Sequence, residues 1–190
     1  MSASPNLTNL SPDAYLDAEL SSDVKHEYRN GQIYAMAGGS DAHVRIGINL
    51  VSMLNAHLRG SGCLIYSSDM KASIEALNLY YYPDVMVTCD RRDREYNYFK
   101  RHPKLIVEVL SPKTEAFDRG DKFDDYQHLD ALEEYVLLAQ SRMRAECFRR
   151  NPEGLWVRYV YREGHIIHLA SVDFRCPIAD LYENVNFLLE

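Results

Sequence analysis

Hydrophobic residues recur along the chain with two different periods, which together predict a mixture of helices and strands. The segment LSPDAYLDAEL begins with a Ser-Pro start signal and predicts a short helix. HEYRNGQIYAMAGG alternates on both sides of Asn30-Gly31, a pair typical of a tight hairpin turn. A second helix is predicted over 41–58, capped by Ser40 or Asp41. Apolar residues surround this helix almost completely, so we expect it to lie buried against a sheet.

Strand patterns dominate the rest of the chain and are predicted around 63–66, 70–75, 80–88 and 104–111. A helix is predicted from about Asp118 to Leu132. It is followed by four further strand patterns, EEYVLLA, AECFRR, LWVRYVYR and HIIHLA. The strand, helix and strand over 104–139 have the order of a right-handed crossover unit. We therefore predict a mixed α/β fold with one central sheet, which C-terminal antiparallel hairpins extend or flank.

Length and composition predict one domain over 1–190, since 190 residues of 46% hydrophobic content can bury a sizeable core. No apolar run approaches the ~18 residues that a membrane span needs. The N-terminal segment MSASPNLTNLSPDAYLD has no basic region followed by an apolar one, so no signal peptide is expected. The four cysteines contain no Cys-x-x-Cys pair and are expected to fill the core as free thiols in a reducing compartment. These features predict a cytoplasmic protein.

The net charge of −7 argues against a protein that coats nucleic acid by bulk electrostatic attraction. Two segments are nevertheless locally positive, RRDREYNYFKRHPK at 91–104 and RMR at 142–144. Each is either a solvated loop or a local basic strip.

Two of the predicted strands each carry one carboxylate among apolar residues. In YYPDVMVT, Asp84 follows Pro83, which belongs at a strand start or edge because it cannot donate to the ladder. In KLIVEVL, Glu108 shares a face with Ile106 and Leu110. A buried carboxylate must be paired, protonated or bound to a metal. If the two strands are neighbours, a hard divalent cation would turn the repulsion between the two acids into coordination. An arginine partner is the alternative.

The motifs resemble a known group of enzymes. YPDVMV, then KLIVEVLSP, then DRGDKFDDYQHLDALEEYVLL is similar to the Pro-Asp and Glu core of the PD-(D/E)XK, or restriction-endonuclease-like, superfamily. With KHEYRNGQIYAMAGGSDAHVRI near the start, the chain more narrowly resembles the Uma-two family of endonucleases. The resemblance covers most of the chain and implies a core of a helix, three strands, a helix and a strand. It also implies hydrolysis of DNA phosphodiester bonds.

The same resemblance implies a metal site. Asp84 and Glu108, helped by the backbone carbonyl of Val109, would hold Mg²⁺, with Mn²⁺ as a possible substitute. Such a cation lowers the pKa of a bound water and neutralises charge on the phosphate that is cut. Glu27 and His43 match family positions and are candidate accessory residues beside the metal or in proton transfer. Alternatively, these two are an ordinary hairpin acid and an ordinary histidine near a helix start.

The catalytic lysine of the superfamily lies two residues after the glutamate, where this chain has Leu110. Branches of the superfamily carry the lysine on the following helix instead, and Lys122 is the candidate there. Lys113, in the loop after the strand, is the alternative. Asp118, Lys122 and Tyr126 are spaced four apart, so they share one helix face. An ordinary surface pair between Asp118 and Lys122 is the competing interpretation.

Several other residues were weighed for the site. Asp69 and Lys71 alternate along a strand and could face the same cleft. The tyrosines at 80–82 are expected in the core or in a dimer contact, with base stacking as the alternative. The family pattern often has an aspartate after the next strand, where this chain has Gln140, and no chemistry is assigned to that position.

The sequence as a whole predicts a Mg²⁺-dependent deoxyribonuclease that acts as a homodimer. One alternative is a nuclease fold that has lost catalysis and binds DNA or protein. The other is an interaction protein with no nucleic-acid role.

Overall fold

The computed structural model describes residues 9–187. Its α-helices are Pro12–Glu19 (α1), Asp41–His57 (α2), Glu115–Arg119 (α3), Asp121–Tyr126 (α4) and Ile178–Leu181 (α5). Its strands are His26–Arg29 (β1), Gln32–Ala35 (β2), Leu64–Ser67 (β3), Lys71–Ile74 (β4), Leu79–Tyr81 (β5), Val85–Thr88 (β6), Phe99–Lys100 (β7), Pro103–Leu110 (β8), Glu134–Ala139 (β9), Arg144–Arg150 (β10), Trp156–Arg162 (β11), Ile166–Leu169 (β12) and Phe174–Pro177 (β13). Short 3-10 helices lie at Glu75–Leu77, Arg91–Glu95 and Ala170–Val172.

The strands form two large sheets and a separate hairpin. A six-stranded sheet has the order β11-β10-β9-β8-β6-β3, and a five-stranded sheet has the order β2-β1-β5-β4-β7. β8 and β9 are parallel and are connected through α3 and α4, as the predicted crossover requires. β10 and β11 extend the six-stranded sheet, whereas β12 and β13 pair only with each other. The prediction of one central sheet is therefore wrong, because the N-terminal strands build a second sheet.

The strand predicted over 80–88 is divided between these two sheets. β5 ends at Tyr81 and β6 begins at Val85. Pro83 lies between them, and because it has no N–H to donate, the hydrogen-bonded ladder is interrupted there. The chain passes from the five-stranded to the six-stranded sheet at this point. Asp84 is consequently placed where the two sheets meet.

Both faces of the six-stranded sheet are covered by other elements. On one face, α2 packs Ile46, Leu50 and Leu54 against the valines of β6 and β8. On the other face, the core contains Met86 and Ile106 together with aromatic residues of α4 and β9. The alternation predicted for β6 and β8 is confirmed, since their odd- and even-numbered residues enter different cores.

α2 has nearly the predicted bounds, but it is not buried all round. Ser40 caps its start by accepting the His43 N–H. Val44 and Ile48 are 49% and 55% exposed, so only one side of the helix faces the sheet. The apolar pattern gave the wrong prediction because no other element of the described chain covers the outer side of α2.

The helix predicted over 118–132 is also different in the structure. It begins earlier, at Glu115, and is divided at Gly120, whose φ of −114° and ψ of −108° are not helical. The second part ends at Tyr126 and is followed by turns up to β9. The break at Gly120 divides the predicted helix into two short helices, α3 and α4.

Two of the four cysteines are bonded to each other, which corrects the prediction of free thiols. Cys63 and Cys89 form a disulfide, while Cys147 and Cys176 are free and buried. The reason is the register of β3 and β6, in which Leu64 is the partner of Thr88. This pairing brings residues that are 26 apart in sequence next to each other. The argument from cysteines for a reducing compartment therefore fails for this pair.

Reduction of this disulfide should lower the free energy of unfolding by about 3 kcal/mol, because the bond limits the freedom of the unfolded chain. Urea unfolding with and without reductant measures the difference. A Cys63→Ala/Cys89→Ala variant is the control, since its stability should not respond to reductant. An equal response of that variant would assign the effect to another group.

Within residues 9–187, no helix combines the length and the apolar character needed to cross a membrane. The N-terminal segment that was considered as a signal peptide includes residues 1–8, which lie outside the described residues.

Candidate active site

Asp84 and Glu108 lie next to each other, as the strand pattern predicts. β6 and β8 are antiparallel, with Val85 opposite Val107, so the residue before β6 comes beside Glu108. The Asp84 N–H donates to Glu108 Oε2 at 3.3 Å. The Val109 N–H donates to Asp84 Oδ2 at 2.7 Å. The two carboxylates are thus held by the backbone of both strands at the junction of the two sheets.

Lys122 reaches this pair of acids from α4. Its Nζ lies 3.0 Å from Glu108 Oε1, 3.2 Å from Glu27 Oε1 and 3.7 Å from Asp118 Oδ1. Only 5% of Lys122 and 4% of Asp118 are exposed, so an ordinary surface pair is ruled out. Since Glu27 belongs to β1 and Glu108 to β8, the ammonium connects the two sheets. Glu27 thus contacts the same ammonium as Glu108, and its accessory role stays a prediction.

Lys113 has a very different position. It lies in an exposed turn between β8 and α3. No ion pair is found for it within the described part of the chain. Lys122 is thus the lysine that the structure places beside Glu108.

Asp118 and Tyr126 complete the buried cluster. Tyr126 donates its O–H to Glu108 Oε1 at 3.2 Å. Sequence reasoning placed both residues on the helix face of Lys122 but gave neither a role at the site. The four-residue spacing was the available signal, and burial of that face was the missing information.

The cluster contains more negative than positive charge. Glu27, Glu108 and Asp118 lie around the single ammonium of Lys122, and Asp84 lies beside Glu108. Burial raises the pKa of Glu108 well above its usual value; Lys122 opposes this increase, and Asp84 and Asp118 add to it. For Lys122, burial acts to lower the pKa, but Glu108 and Glu27 outweigh burial and raise it well above the usual value. Lys122 therefore remains charged, held by the carboxylates around it.

His43 joins the site from the first turn of α2. Its Nε2 lies 2.9 Å from Asp84 Oδ1. Burial acts to lower the pKa of His43, but the hydrogen bond and charge of Asp84, with Asp118, raise it above the usual value. The buried Nδ1 has no hydrogen-bond partner among residues 9–187. This histidine therefore has one nitrogen on a carboxylate and one that is buried without a partner among the described residues.

Gln140 supports the start of α2, although no role was predicted for it. Ser40 donates its O–H to Gln140 Oε1 at 2.8 Å and accepts the His43 N–H at 3.2 Å. Gln140 follows β9, so this contact fixes the helix that carries His43 to the end of the main sheet. Nothing in the sequence indicates the contact, because its partners are 100 residues apart.

Asp69 and Lys71 have other partners than Asp84 and Glu108. Asp69 forms an exposed ion pair with Lys25. Lys71 is buried, and its Nζ lies 5.0 Å from the centre of the Tyr82 ring. The tyrosines at 80–82 are all buried, which confirms their expected place in the core and excludes base stacking.

A groove of about 680 Å³ opens beside the cluster. His43 and Asp84 lie in its wall, and the exposed side of α2 with Val44 and Ile48 continues it. A chain-like molecule lying in this groove would pass His43 and Asp84.

The His43 ring packs against Gly39, where a larger residue would have no room. A Cβ at Gly39 would lie 2.8 Å from His43 Cδ2, whereas a Cβ at Gly38 would have no atom within 4 Å. Gly39→Ala should displace the ring from Asp84 without unfolding the chain. Because burial would then act without the opposing carboxylate, the pKa of His43 should fall. NMR titration of the imidazole in metal-free buffer measures this change. Gly38→Ala is the matched control, and equal pKa values in the two variants would contradict the assigned contact.

Comparison with solved structures identifies a protein of similar fold. The structure matches the crystal structure of a protein from Anabaena variabilis ATCC 29413, described as a "putative nuclease belonging to DUF820", with a TM-score of 0.75. The match covers 92% of this chain and 98% of that one at 16% sequence identity. The predicted mixed α/β, nuclease-like fold is thereby confirmed.

Sequence comparison identifies the family. The Uma2, or Uma-two, family model, described as "Putative restriction endonuclease", matches residues 12–179. The chain belongs to this family. It is 40% identical to the uncharacterized protein slr1290 of Synechocystis sp. (strain ATCC 27184 / PCC 6803 / Kazusa), over 98% of both chains. It is also 33% identical to the uncharacterized protein sll1609 of the same strain, over 75% of this chain and 82% of that protein.

Proposed function

We propose that the protein is a metal-dependent endonuclease that hydrolyses phosphodiester bonds of DNA. The observation that carries the proposal is the position of Lys122 Nζ, 3.0 Å from Glu108 Oε1, beside Asp84. A carboxylate pair and a lysine that converge from two strands and a helix form the constellation that the nuclease motif requires. The membership in a family described as restriction endonucleases supports the same activity.

The donor set is consistent with Mg²⁺, for which Mn²⁺ could substitute. Among residues 9–187, no three His, Cys, Asp or Glu side chains form a complete metal-binding group. Mg²⁺ does not need one, since it is often bound through one or two carboxylates, waters and substrate phosphate oxygens. Burial, with the charges of Asp84 and Asp118, raises the pKa of Glu108, and a divalent cation would balance this buried negative charge.

Asp84, Glu108 and the carbonyl of Val109 would hold this ion. The Val109 N–H points to Asp84. The N–H and C=O of one strand residue point to the same neighbouring strand, so the Val109 carbonyl belongs to the same edge of β8. When bound, the cation would lower the pKa of water and neutralise charge on the phosphate.

Residues of the chain supply the remaining functions. In hydrolysis, a water oxygen bonds to phosphorus as the bond to the leaving sugar oxygen breaks, and the proton lost by water is balanced by one gained by that oxygen. Lys122, kept charged by Glu108 and Glu27, stabilises the negative charge that grows on the phosphate oxygens. His43, which contacts Asp84 and lies in the wall of the groove, is the candidate accessory residue for proton transfer.

Cleavage assays with plasmid and linear DNA test this proposal directly. Purified protein should cut with Mg²⁺ or Mn²⁺ and should not cut with EDTA, and calorimetry should detect binding of the metal. Failure to cut with any divalent metal, together with no metal binding, would reject the enzyme. Metal binding without turnover, or DNA binding that EDTA does not alter, would instead identify an inactive nuclease fold that binds DNA.

We also propose that the protein acts as a homodimer in the cytoplasm. Each chain carries one cluster of catalytic residues, so cutting both strands of a duplex at one site calls for two copies. Sedimentation with and without DNA measures the number of copies. A monomer that cuts both strands in one binding event would contradict the dimer.

A further inference from the structure

A second buried carboxylate, Glu146 on β10, is surrounded by three arginines. Its Oε1 lies 2.9 Å from Arg119 Nη1 and 3.2 Å from Arg144 Nε, and its Oε2 lies 3.4 Å from Arg158 Nη1. Glu146 is only 2% exposed. Burial acts to raise its pKa, but Arg119 and Arg144 outweigh burial and hold the pKa below its usual value. The group is therefore an ionised carboxylate that fixes three guanidinium groups.

One guanidinium would be enough to pair this carboxylate, so the cluster carries a net positive charge. Arg119 also pairs with Glu115, which leaves three cations against two anions. The side chains of Arg144 and Arg158 are 26% and 58% exposed. Within the described chain they have no second carboxylate partner, and their remaining N–H groups are not among the buried unpaired atoms. These donors face solvent in a fixed arrangement.

The register of the six-stranded sheet places this cluster beside the candidate active site. Glu108 is the partner of Leu137 in β9, and Leu137 is the partner of Glu146 in β10. Residues in one register row project from the same face of a sheet. Glu108 and Glu146 are thus two strands apart on one face, which corresponds to about 10 Å between their backbones. Arg119 is the residue directly after Asp118 of the active-site cluster.

We propose that Arg119, Arg144 and Arg158 bind a backbone phosphate of the DNA strand next to the phosphate that is cut. This inference rests on the proposed nuclease function. The planar guanidinium has donors that match phosphate oxygens in a two-pronged contact. The net charge of −7 and the acidic cluster repel DNA, so a local group of cations is needed to bring the strand to Glu108. Glu146 holds the arginines in position before the DNA arrives.

Kinetics of duplex cleavage at varied salt concentration test the assignment. Arg144→Gln and Arg158→Gln should each raise KM and leave kcat nearly unchanged, because a contact made equally with substrate and transition state is removed. Each phosphate contact contributes about −0.9 to the slope of log affinity against log salt concentration. The three arginines share one phosphate, so each single variant weakens that contact and the double variant removes most of it. Between about 50 and 200 mM salt, the double variant should therefore lose roughly 3.5-fold less kcat/KM than the wild type, and each single variant should lie between the two.

Arg59→Gln is the matched control, since it makes the same change in charge on an exposed residue just beyond the far end of α2 from His43. Thermal unfolding verifies that each variant is folded. If the wild type cuts DNA but the Arg144 and Arg158 variants have the KM and salt slope of the Arg59 variant, this inference is wrong and the nuclease proposal stands. If the wild type neither binds nor cuts DNA, both are wrong.

Discussion

Replacing Glu108 with glutamine should abolish metal binding and reduce DNA cleavage on the order of a thousandfold. Glu108 is one of two carboxylates available to the cation and also the nearest partner of Lys122. The fold should survive the change. Lys122 keeps Glu27 at 3.2 Å and Asp118 at 3.7 Å, and removal of one charge relieves the acidic excess. The loss of stability should therefore be smaller than the about 3–5 kcal/mol typical of a buried charge left without a partner.

Asp84→Asn should have the same effect on cleavage, since an amide has one oxygen where the carboxylate contacts both His43 and the Val109 N–H. Calorimetric titration with Mn²⁺, single-turnover cleavage and urea unfolding give the three measurements. Glu133→Gln is the control, because it makes the same chemical change at an exposed residue near β9. If the Glu108 and Asp84 variants both unfold, or both cut at the wild-type rate, the two acids have a structural role only.

Lys122→Met should reduce cleavage on the order of a hundredfold, as removal of one preorganised electrostatic group does. It should also destabilise the fold by about 3–5 kcal/mol, because Glu27, Glu108 and Asp118 would lose the cation at their centre. Rates must therefore be compared at a temperature where unfolding curves show that the variant is folded. Under those conditions the loss should appear in kcat.

Lys113→Met is the matched control and should cleave at nearly the wild-type rate. Lys113 is exposed, and among the described residues it forms no ion pair with Glu108. Lys122→Arg provides a second test if the methionine variant does not fold. It keeps the charge and much of the stability, but a planar guanidinium does not place that charge as an ammonium does, so kcat should still fall. A folded Lys122 variant with wild-type kcat, or a larger loss at Lys113, would show that the lysine is wrongly assigned.

The faces that carry Asp84 and Glu108 could be predicted from the sequence because strand alternation is a local property. That the two strands are neighbours was a condition of the prediction, and the pairing of β6 with β8 meets it. Lys122 was predicted from the family resemblance. Leu110 occupies the usual position of the lysine, and in some branches of the superfamily the lysine lies on the following helix instead. The structure puts the Lys122 ammonium beside Glu108, and its role in catalysis stays a prediction.

What the sequence did not reveal depends on contacts between distant segments. Burial of Asp118 requires the second sheet to cover α3 and α4, and that sheet is formed by strands far away in the chain. The Cys63–Cys89 bond depends on the register of β3 with β6, which no pattern within either strand specifies. Pro83 did carry a local signal for the division between the sheets. The proline was interpreted as a strand edge rather than as a passage from one sheet to another.

Mn²⁺ soaked into crystals of the protein gives the most direct test of the central claim, that Asp84 and Glu108 hold a divalent cation. Anomalous difference density should show a peak in contact with both carboxylates, and the peak should disappear in Glu108→Gln crystals. The central claim would be contradicted if saturating Mn²⁺ gave no peak there, with Asp84 still bonded to His43 and the Val109 N–H.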